Sequence, residues 1–278
     1  MGTSPLAELT AVTRRGDGDY RATATPDVGI VGGLIHGGFL LEVAARALAD
    51  AVGAPHPVTI TGHYLTAVRP GPLRVRTEVL RVGRHRTGRA LLFAGDGDAP
   101  ALAVTGTFLD LAAAARPSRR LVEPPPLPDP EACTPWPPPG RAPGAGAPPS
   151  VMDRFRHRLV PDGFAWIEGR PSGNALVEAW AAPEAGDWDP LDLLTLTDVY
   201  PPPILSTGMG FVWVPTVELT VQLRGLPDGD EWLASRFATS EVTGGYVEED
   251  GTVRTATGRL IAISRQLALV PREVAAQD

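Results

Sequence analysis

The sequence predicts an α+β protein made of two similar units in tandem, each with a helix packed on a curved antiparallel sheet. Two pairs of segments support this prediction. Residues 57–65 (PVTITGHYL) resemble residues 215–223 (PTVELTVQL), and residues 101–111 (ALAVTGTFLDL) resemble residues 260–270 (LIAISRQLALV). The pairs are offset by 158 and 159 residues, so they share one register. Each segment alternates apolar with polar or small residues, as in a strand with one buried face. Two copies are too few for a solenoid and indicate a duplicated unit.

The first unit contains one strong helix signal followed by strand signals. Apolar residues recur at helical spacing from Phe39 to Val52, and Gly53 followed by Pro55 supplies a stop, so a helix is expected at residues 38–52. A short strand is expected before it. Turn residues such as glycine and proline separate four strands after it. The expected strands are residues 20–25, 58–68, 73–84, 89–95 and 100–111.

The second unit is expected to repeat this order. A helix is predicted to begin after Asp187 or Asp189, with Pro190 in its first turn, and to run through LDLLTLTDVY until Pro201. The segment LIAISRQLALV is mostly apolar, which is typical of a strand covered on both faces. The expected strands are residues 152–159, 175–181, 216–224, 231–242, 245–249 and 254–270.

A proline-rich segment separates the two units. Thirteen of the 30 prolines lie in residues 117–149, a composition that excludes a helix or a central strand and predicts an extended linker. We therefore expect an N-terminal domain at residues 1–112, a linker at residues 113–150 and a C-terminal domain at residues 151–278.

Composition and charge exclude several function classes. The 278 residues are 43% hydrophobic and 21% charged, as in a soluble globular protein. A net charge of −7 without a basic block argues against a nucleic-acid partner. No apolar run approaches the roughly 20 residues that span a bilayer, and the N-terminus lacks a signal-peptide core. We therefore expect a cytoplasmic protein with no membrane partner.

The residue inventory narrows the chemistry further. All 25 positively charged residues are arginine, which excludes lysine Schiff bases and the phosphate-loop lysine. The single cysteine, Cys133, cannot form an internal disulfide. The five histidines show no ligand spacing, so no metal is predicted. No other cofactor is expected.

A helix that opens with two glycines, is wrapped by an antiparallel sheet and occurs twice in one chain resembles the double hotdog fold. Within that group the sequence is similar to the type II (TesB-like) acyl-CoA thioesterases, over nearly the whole chain outside the proline-rich segment. The resemblance implies hydrolysis of an acyl thioester, carried by CoA or by an acyl carrier protein, to a free acid and a thiol. A role in lipid metabolism and a homo-oligomer of double-hotdog units are compatible with it.

The resemblance also implies which residues hold the attacking water. Enzymes of that family use an Asp from the second hotdog helix, a Thr or Ser at the start of the next strand, and a Gln on the last strand. These match Asp198 in LTLTDVY, Thr216 in VPTVELTV and Gln266 in AISRQLALV. The aligned positions of the first copy are Val58 and Thr107, so one half is expected to be catalytic and the other supportive. A carboxylate can accept the proton of a water that a hydroxyl and an amide orient.

The first unit offers His36, Gly37 and Gly38 at the start of its helix. Backbone N–H groups there can bind an oxyanion, and glycines allow a substrate to approach closely. The resemblance implies a composite site, because in hotdog thioesterases the helix start of one unit commonly faces the acid of the other. His36 is either an acid or base, or only a cap or contact residue. Trp213 lies close enough to Thr216 to wall an acyl pocket.

Two other functions stay open. Hotdog folds also host dehydratases and enoyl hydratases, which would need an Asp and a His at a D-x4-H spacing that this sequence lacks. A non-catalytic acyl- or pantetheine-binding protein would keep the fold without activating water. The presence of both Thr216 and Gln266 argues against that reading.

Overall fold

The two repeats fold into matching sets of strands. The computed structural model describes residues 2–114, 116–136, 150–209 and 213–270. The elements of the first unit are α1 (Pro5–Leu9), β1 (Thr13–Gly16), β2 (Asp19–Ala24), β3 (Gly29–Ile30), β4 (Leu34–Ile35), α2 (Gly37–Val52), β5 (His56–Tyr64), β6 (Gly71–Arg81), β7 (Arg86–Ala94) and β8 (Leu102–Leu109). The remaining elements are β9 (Thr134–Trp136), β10 (Phe155–Leu159), β11 (Leu176–Pro183), α3 (Asp192–Leu196), β12 (Thr216–Leu223), β13 (Leu233–Ala238), β14 (Val242–Thr243), β15 (Tyr246–Thr255) and β16 (Leu260–Leu269).

One antiparallel sheet contains both units and joins them through β5 and β12. Outward from this joint the strand order is β5-β8-β7-β6-β2-β1 on one side and β12-β16-β15-β13-β11-β10-β9 on the other. Thr61 lies opposite Thr220 at the joint, and their hydroxyl oxygens are 2.8 Å apart. These two residues are 159 positions apart, which matches the offset of the sequence repeat. The predicted duplication is therefore confirmed, and its pseudo-two-fold axis passes near this pair.

The first helix, α2, forms where the apolar spacing predicts it. Phe39, Val43 and Leu48 are completely buried, and the helix packs against β5–β8. The helix begins one residue before the predicted start, because the side chain of His36 caps it by accepting a hydrogen bond from the Phe39 N–H. It ends at Gly53, whose left-handed backbone (φ 68°) is the conformation that glycine adopts most readily.

The second helix is much shorter than predicted, and the prediction of one continuous helix to Pro201 is wrong. After α3 the backbone tightens into bonds of the 3-10 type, such as Asp198 N–H to Thr195 O at 3.1 Å. Tyr200 precedes three prolines, which disfavour a helical residue before them and supply no N–H. The Thr197 hydroxyl also binds the Leu194 carbonyl, at 3.0 Å. Asp198 consequently lies just beyond the helix.

The strand boundaries near the C-terminus also differ from the prediction. Asp250-Gly251 has the composition of a turn, yet both residues lie within β15. Gly251 fits there because the Phe237 ring and the Ser264 hydroxyl occupy the space that a side chain would need. The turn instead lies before β16, at Gly258, whose φ of 79° favours glycine. The strand predicted at residues 231–242 is likewise shorter, because β13 covers only Leu233–Ala238.

Part of the predicted linker belongs to the sheet. Residues of β9 pair with β10 at the outer edge of the second unit. Pro135 is tolerated in this strand because an edge strand need not donate every backbone hydrogen bond. The prediction of an extended segment at residues 137–149 lies outside the described residues.

From Ser264 onward, the last strand, β16, is covered on one face only in the described structure. Ser264, Gln266 and Ala268 are buried on its inner face, whereas Leu267 and Leu269 are 37% and 41% exposed in the described structure. The expectation that both faces are covered is therefore wrong for this second half of the strand, whereas Ile261 and Ala262 are both buried. Apolar residues on the outer face produced a continuous apolar run that is typical of a buried strand.

The described residues include no helix long and apolar enough to cross a membrane. Within the same residues, no three His, Cys, Asp or Glu side chains are grouped so that they could hold a metal ion.

Candidate functional site

A cavity of about 1080 Å³ lies between the start of α2 and the segment that follows α3. Most of its wall is apolar, with Leu34, Leu40, Trp166 and Leu205 among the lining residues. Trp213 also lines it and is 46% exposed, so its ring lies where the cavity meets the surface. The cavity is at the upper end of the sizes usual for small-molecule sites, and its apolar wall suits an acyl chain.

Asp198 is held at the polar end of this cavity by the other unit. The Gly38 N–H donates a hydrogen bond to Asp198 Oδ2 at 2.7 Å. Oδ1 makes no hydrogen bond with any described residue and is free to accept one. The side chain is 11% exposed. Burial raises the pKa of Asp198, and the neighbouring His36 and the Gly38 N–H offset part of that increase.

Both ring nitrogens of His36 are used in holding this arrangement. Nδ1 accepts the hydrogen bond of the Phe39 N–H, and Nε2 lies 2.8 Å from the backbone oxygen of Asp198. A carbonyl oxygen only accepts, so these contacts assign the proton to Nε2. The ring also lies 3.4 Å from Asp198 Oδ2. His36 therefore caps α2 and braces the Asp198 loop, which corresponds to the cap alternative of the sequence analysis.

The two glycines at the start of α2 bring the units into close contact. A Cβ on Gly38 would lie 2.9 Å from the Leu194 carbonyl oxygen and 3.0 Å from the Thr195 Cα. A Cβ on Gly37 would lie 2.9 Å from Asp198 Oδ2. The amide of Gly38 is already bound to Asp198, whereas the Gly37 N–H has no partner among the described residues. Of the two amides expected to bind an oxyanion, only that of Gly37 is available.

Thr216 and Gln266 form a second polar pair on the cavity wall. Gln266 Nε2 donates a hydrogen bond to Thr216 Oγ1 at 2.6 Å, and the Gln266 side chain is buried. The hydroxyl proton of Thr216 and Oε1 of Gln266 have no further partner in the described structure. Both residues line the same cavity as Asp198, but no direct hydrogen bond joins them to Asp198 within the described ranges. The three predicted residues thus share one chamber.

The first unit has no equivalent polar pair. Thr107, which aligns with Gln266, bonds through its hydroxyl to the Thr87 hydroxyl at 3.1 Å. Val58, which aligns with Thr216, has no polar side-chain atom. The polar pair is therefore not repeated at the aligned positions of the first unit, and the supportive role of the first half stays a prediction.

Two residues of the cavity were missed by the sequence analysis. The hydroxyl of Tyr64 is buried without a hydrogen-bond partner, and burial together with Asp198 and Glu218 raises the pKa of Tyr64. Glu249 also lines the cavity, and burial, followed by Asp198, raises its pKa well above the ordinary range. Tyr64 ends a repeated strand, but nothing in the sequence showed which way it faces. Glu249 was obscured by its acidic neighbours.

Comparison with known proteins places both units in one family. A model of the acyl-CoA thioesterase N-terminal domain matches residues 25–109, and a model of the acyl-CoA thioesterase C-terminal domain matches residues 130–270. An uncharacterized protein of Mycobacterium tuberculosis is 28% identical over 266 residues, covering 87% of this chain and 88% of that protein.

Solved structures share the architecture over almost the full length. A candidate thioesterase II from Thermobifida fusca is 27% identical with a TM-score of 0.85, covering 98% of this chain and 99% of that one. A hot dog fold protein of unknown function from Alicyclobacillus acidocaldarius is 20% identical with a TM-score of 0.81, covering 96% and 97%. The double hotdog prediction is confirmed. With matches to both domain models, this chain belongs to the acyl-CoA thioesterase family.

Proposed function

We propose that the protein hydrolyses acyl thioesters of CoA or of an acyl carrier protein, and that Asp198 is the base. The observation that carries this proposal is the Asp198 carboxylate, anchored through one oxygen by the Gly38 N–H inside a large apolar cavity. Its other oxygen is left to accept a proton from water. A carboxylate that burial keeps more basic than usual is better matched to this task.

The remaining polar groups have complementary roles in this mechanism. Gln266 Oε1 accepts a hydrogen bond from the attacking water and orients it toward the thioester carbon. The Thr216 hydroxyl accepts a hydrogen bond from Gln266, so its own proton is free to form a hydrogen bond with the water. The free Gly37 N–H donates to the carbonyl oxygen as negative charge develops on it. Donors fixed before the reaction stabilise that charge without having to reorganise.

The apolar wall supports an acyl substrate. Leu34, Leu40 and Leu205 line the cavity and offer no hydrogen-bonding side-chain group. An alkyl chain that leaves water for such a wall gains about 0.8 kcal/mol per methylene. Binding energy from the chain can therefore position the carbonyl next to Asp198.

The test is thiol release from a panel of acyl-CoA thioesters, monitored with a thiol reagent. Asp198→Asn is expected to lower kcat/KM by about 10²–10⁴-fold, the range typical of a positioned base. Asp228→Asn is the matched control, because Asp228 is 89% exposed in a surface ion pair with Arg259. Native activity is expected to fall as the pH drops through the raised pKa of Asp198, since the proton-accepting form is then lost.

Other outcomes would redirect the assignment. If no acyl-CoA releases thiol while 3-hydroxyacyl thioesters lose water, the protein is a dehydratase. If acyl-CoA binds and nothing turns over, it is a binding protein. Equal turnover by native protein and Asp198→Asn would remove Asp198 from the mechanism.

A further inference from the structure

A second carboxyl group enters the cavity from the strand next to Gln266. Glu249 on β15 lies directly opposite Gln266 on β16, so the two side chains share one face of the sheet. Both line the cavity, together with Asp198. The hydrolytic mechanism above gives Glu249 no task.

The neighbours of Glu249 on its own strand are engaged elsewhere. Glu248 accepts a hydrogen bond from the Ser240 N–H at 2.8 Å, and Asp250 is paired with Arg265 at 2.6 Å on the exposed face. Alternation along a strand places both on the face opposite to Glu249. Glu249 itself makes no hydrogen bond or ion pair with any described residue, so its carboxyl group is available to a ligand.

Two carboxyl groups in one apolar chamber do not both ionise readily. Asp198 has the Gly38 N–H and the neighbouring His36 to stabilise its charged form. Glu249 has no such donor, and burial followed by the charge of Asp198 raises its pKa well above the usual range. Of the two carboxyl groups, Glu249 therefore holds a proton more readily, and Asp198 is the better candidate for the base.

We propose that Glu249 is the acid of the reaction and donates a proton to the sulfur of the leaving thiol as the C–S bond breaks. This inference rests on the hydrolytic function proposed above and assigns it a further catalytic residue.

The proton balance closes over one turnover. Asp198 takes a proton from water while the water oxygen bonds to the thioester carbon. When the oxyanion re-forms the carbonyl, the electron pair of the C–S bond leaves on sulfur, which takes the proton of Glu249. The products are the carboxylic acid and the thiol, with Asp198 protonated and Glu249 ionised. Transfer of the proton from Asp198 to Glu249, directly or through solvent, restores the starting state.

The apolar surroundings are the physical reason for such a donor. A thiolate expelled next to residues such as Val199 and Val214 would be an unpaired charge in a poorly solvated chamber, and burying such a charge is costly. Protonation at the moment of departure avoids that cost. The donor must face the chamber and hold its proton more readily than an ordinary carboxyl group, and Glu249 meets both conditions.

A leaving-group comparison tests the proposal. The probes are the acyl-CoA that native protein turns over fastest and the 4-nitrothiophenyl ester of the same acid, whose thiolate departs without a proton. Glu249→Gln keeps the size and neutrality of the protonated side chain but cannot transfer a proton. It is expected to lose roughly 10²-fold in kcat on the CoA thioester, the lower end of the range for a positioned acid, and only a few-fold on the aryl ester. Glu248→Gln, one position away and outside the cavity, is the matched control.

The outcomes separate this inference from the proposed function. Equal losses on both esters, or no loss on the CoA thioester, would overturn the role of Glu249 even when native protein is an active thioesterase. No thiol release by native protein from either ester would overturn both proposals. Turnover of the aryl ester also shows that the variant is folded.

The pH profile gives a second, independent readout. Rates on the CoA thioester are expected to fall at high pH as Glu249 loses its proton, and Glu249→Gln is expected to lack this alkaline decline. The groups that could also titrate around Glu249 are His36 and Tyr64 from the first unit, Asp198 after α3, and the ion-paired Asp250 on its own strand. An unchanged alkaline decline in the variant would assign it to one of these groups and contradict the proposal.

Discussion

Replacing Gly38 by alanine tests how fold and site depend on one contact. The added Cβ would lie 2.9 Å from the Leu194 carbonyl oxygen, 3.0 Å from the Thr195 Cα and 3.0 Å from the Asp198 Cβ. Two of these atoms belong to the backbone, so α3 must move away from α2 to relieve the overlap.

The expected loss of stability is a balance of two effects. Alanine in place of glycine within a helix gains about 1 kcal/mol. Overpacking against a backbone that must shift costs roughly 1–3 kcal/mol. The clash with α3 is expected to prevail, giving a net loss of up to about 2 kcal/mol. Because Asp198 moves with α3 and its bond to the Gly38 N–H is stretched, kcat/KM is expected to fall about 10²-fold.

Thermal unfolding and thiol release measure the two effects in the same samples. A loss of 1 kcal/mol lowers Tm by roughly 2–4 °C in a protein of about this size. Gly16→Ala is the control, because nothing lies within 4 Å of a Cβ there. Gly37→Ala meets only the side chains of Asp198 and Tyr64, so a smaller loss of stability is expected with a similar loss of activity. Native stability and turnover in Gly38→Ala would refute the packing argument.

Three further predictions concern buried polar groups. Asp198→Asn is expected to raise stability at neutral pH but not near pH 4. The raised pKa of Asp198 means that its charged form disfavours the folded state. Equal denaturation midpoints of the native protein and the variant at both pH values would contradict this. Tyr64→Phe removes a buried hydroxyl without a partner in the described structure, so the free energy of unfolding should rise by up to about 1 kcal/mol. A loss of stability would show that the hydroxyl is satisfied in the native state. Burial lowers the pKa of His157 to about 4, so the stability that its neutral form contributes is complete above pH 6.5 and is lost as the pH falls towards 4. Protonation of this group should account for about 3 kcal/mol of destabilisation in acid. His157→Gln should lack this part of the acid destabilisation.

The sequence was sufficient to predict the elements whose signals are local. The apolar spacing of α2 with its glycine stop, and the alternation of β5 and β12, agree with the structure because one buried face determines each pattern. The prediction of a long second helix was wrong because a proline disfavours the helical conformation of the residue before it. The predicted break between two strands at Gly251 was also wrong. Glycine is required there by the close contact with Phe237 and not by a turn.

Part of the candidate site likewise depends on contacts between elements that are distant in the sequence. Asp198, Thr216 and Gln266 could be identified by resemblance, and all three line the cavity. Glu249 could not be identified, because only the register of β15 against β16 distinguishes it from the two acids beside it. Tyr64 lines the cavity through the close approach of α2 and β5 at Gly37, a contact between elements that no local pattern records.

The duplicated fold offers two related places for a site, and in the described structure the carboxyl groups of the two places are bound differently. The place related to Asp198 at the start of α2 lies at the start of α3, where Arg46 extends from α2. Its guanidinium binds Asp189 at 3.2 Å and Glu42 at 2.8 Å, and the Thr195 hydroxyl completes the cluster by donating to Glu42 at 2.6 Å. The guanidinium, which has no acceptor and stays protonated, and the hydroxyl group engage the carboxylate oxygens of this cluster in bonds within the protein. The cluster joins α2 to α3, which fixes the α3 segment that leads into Asp198. The first unit thereby helps to position Asp198, the residue proposed as the base, in the second.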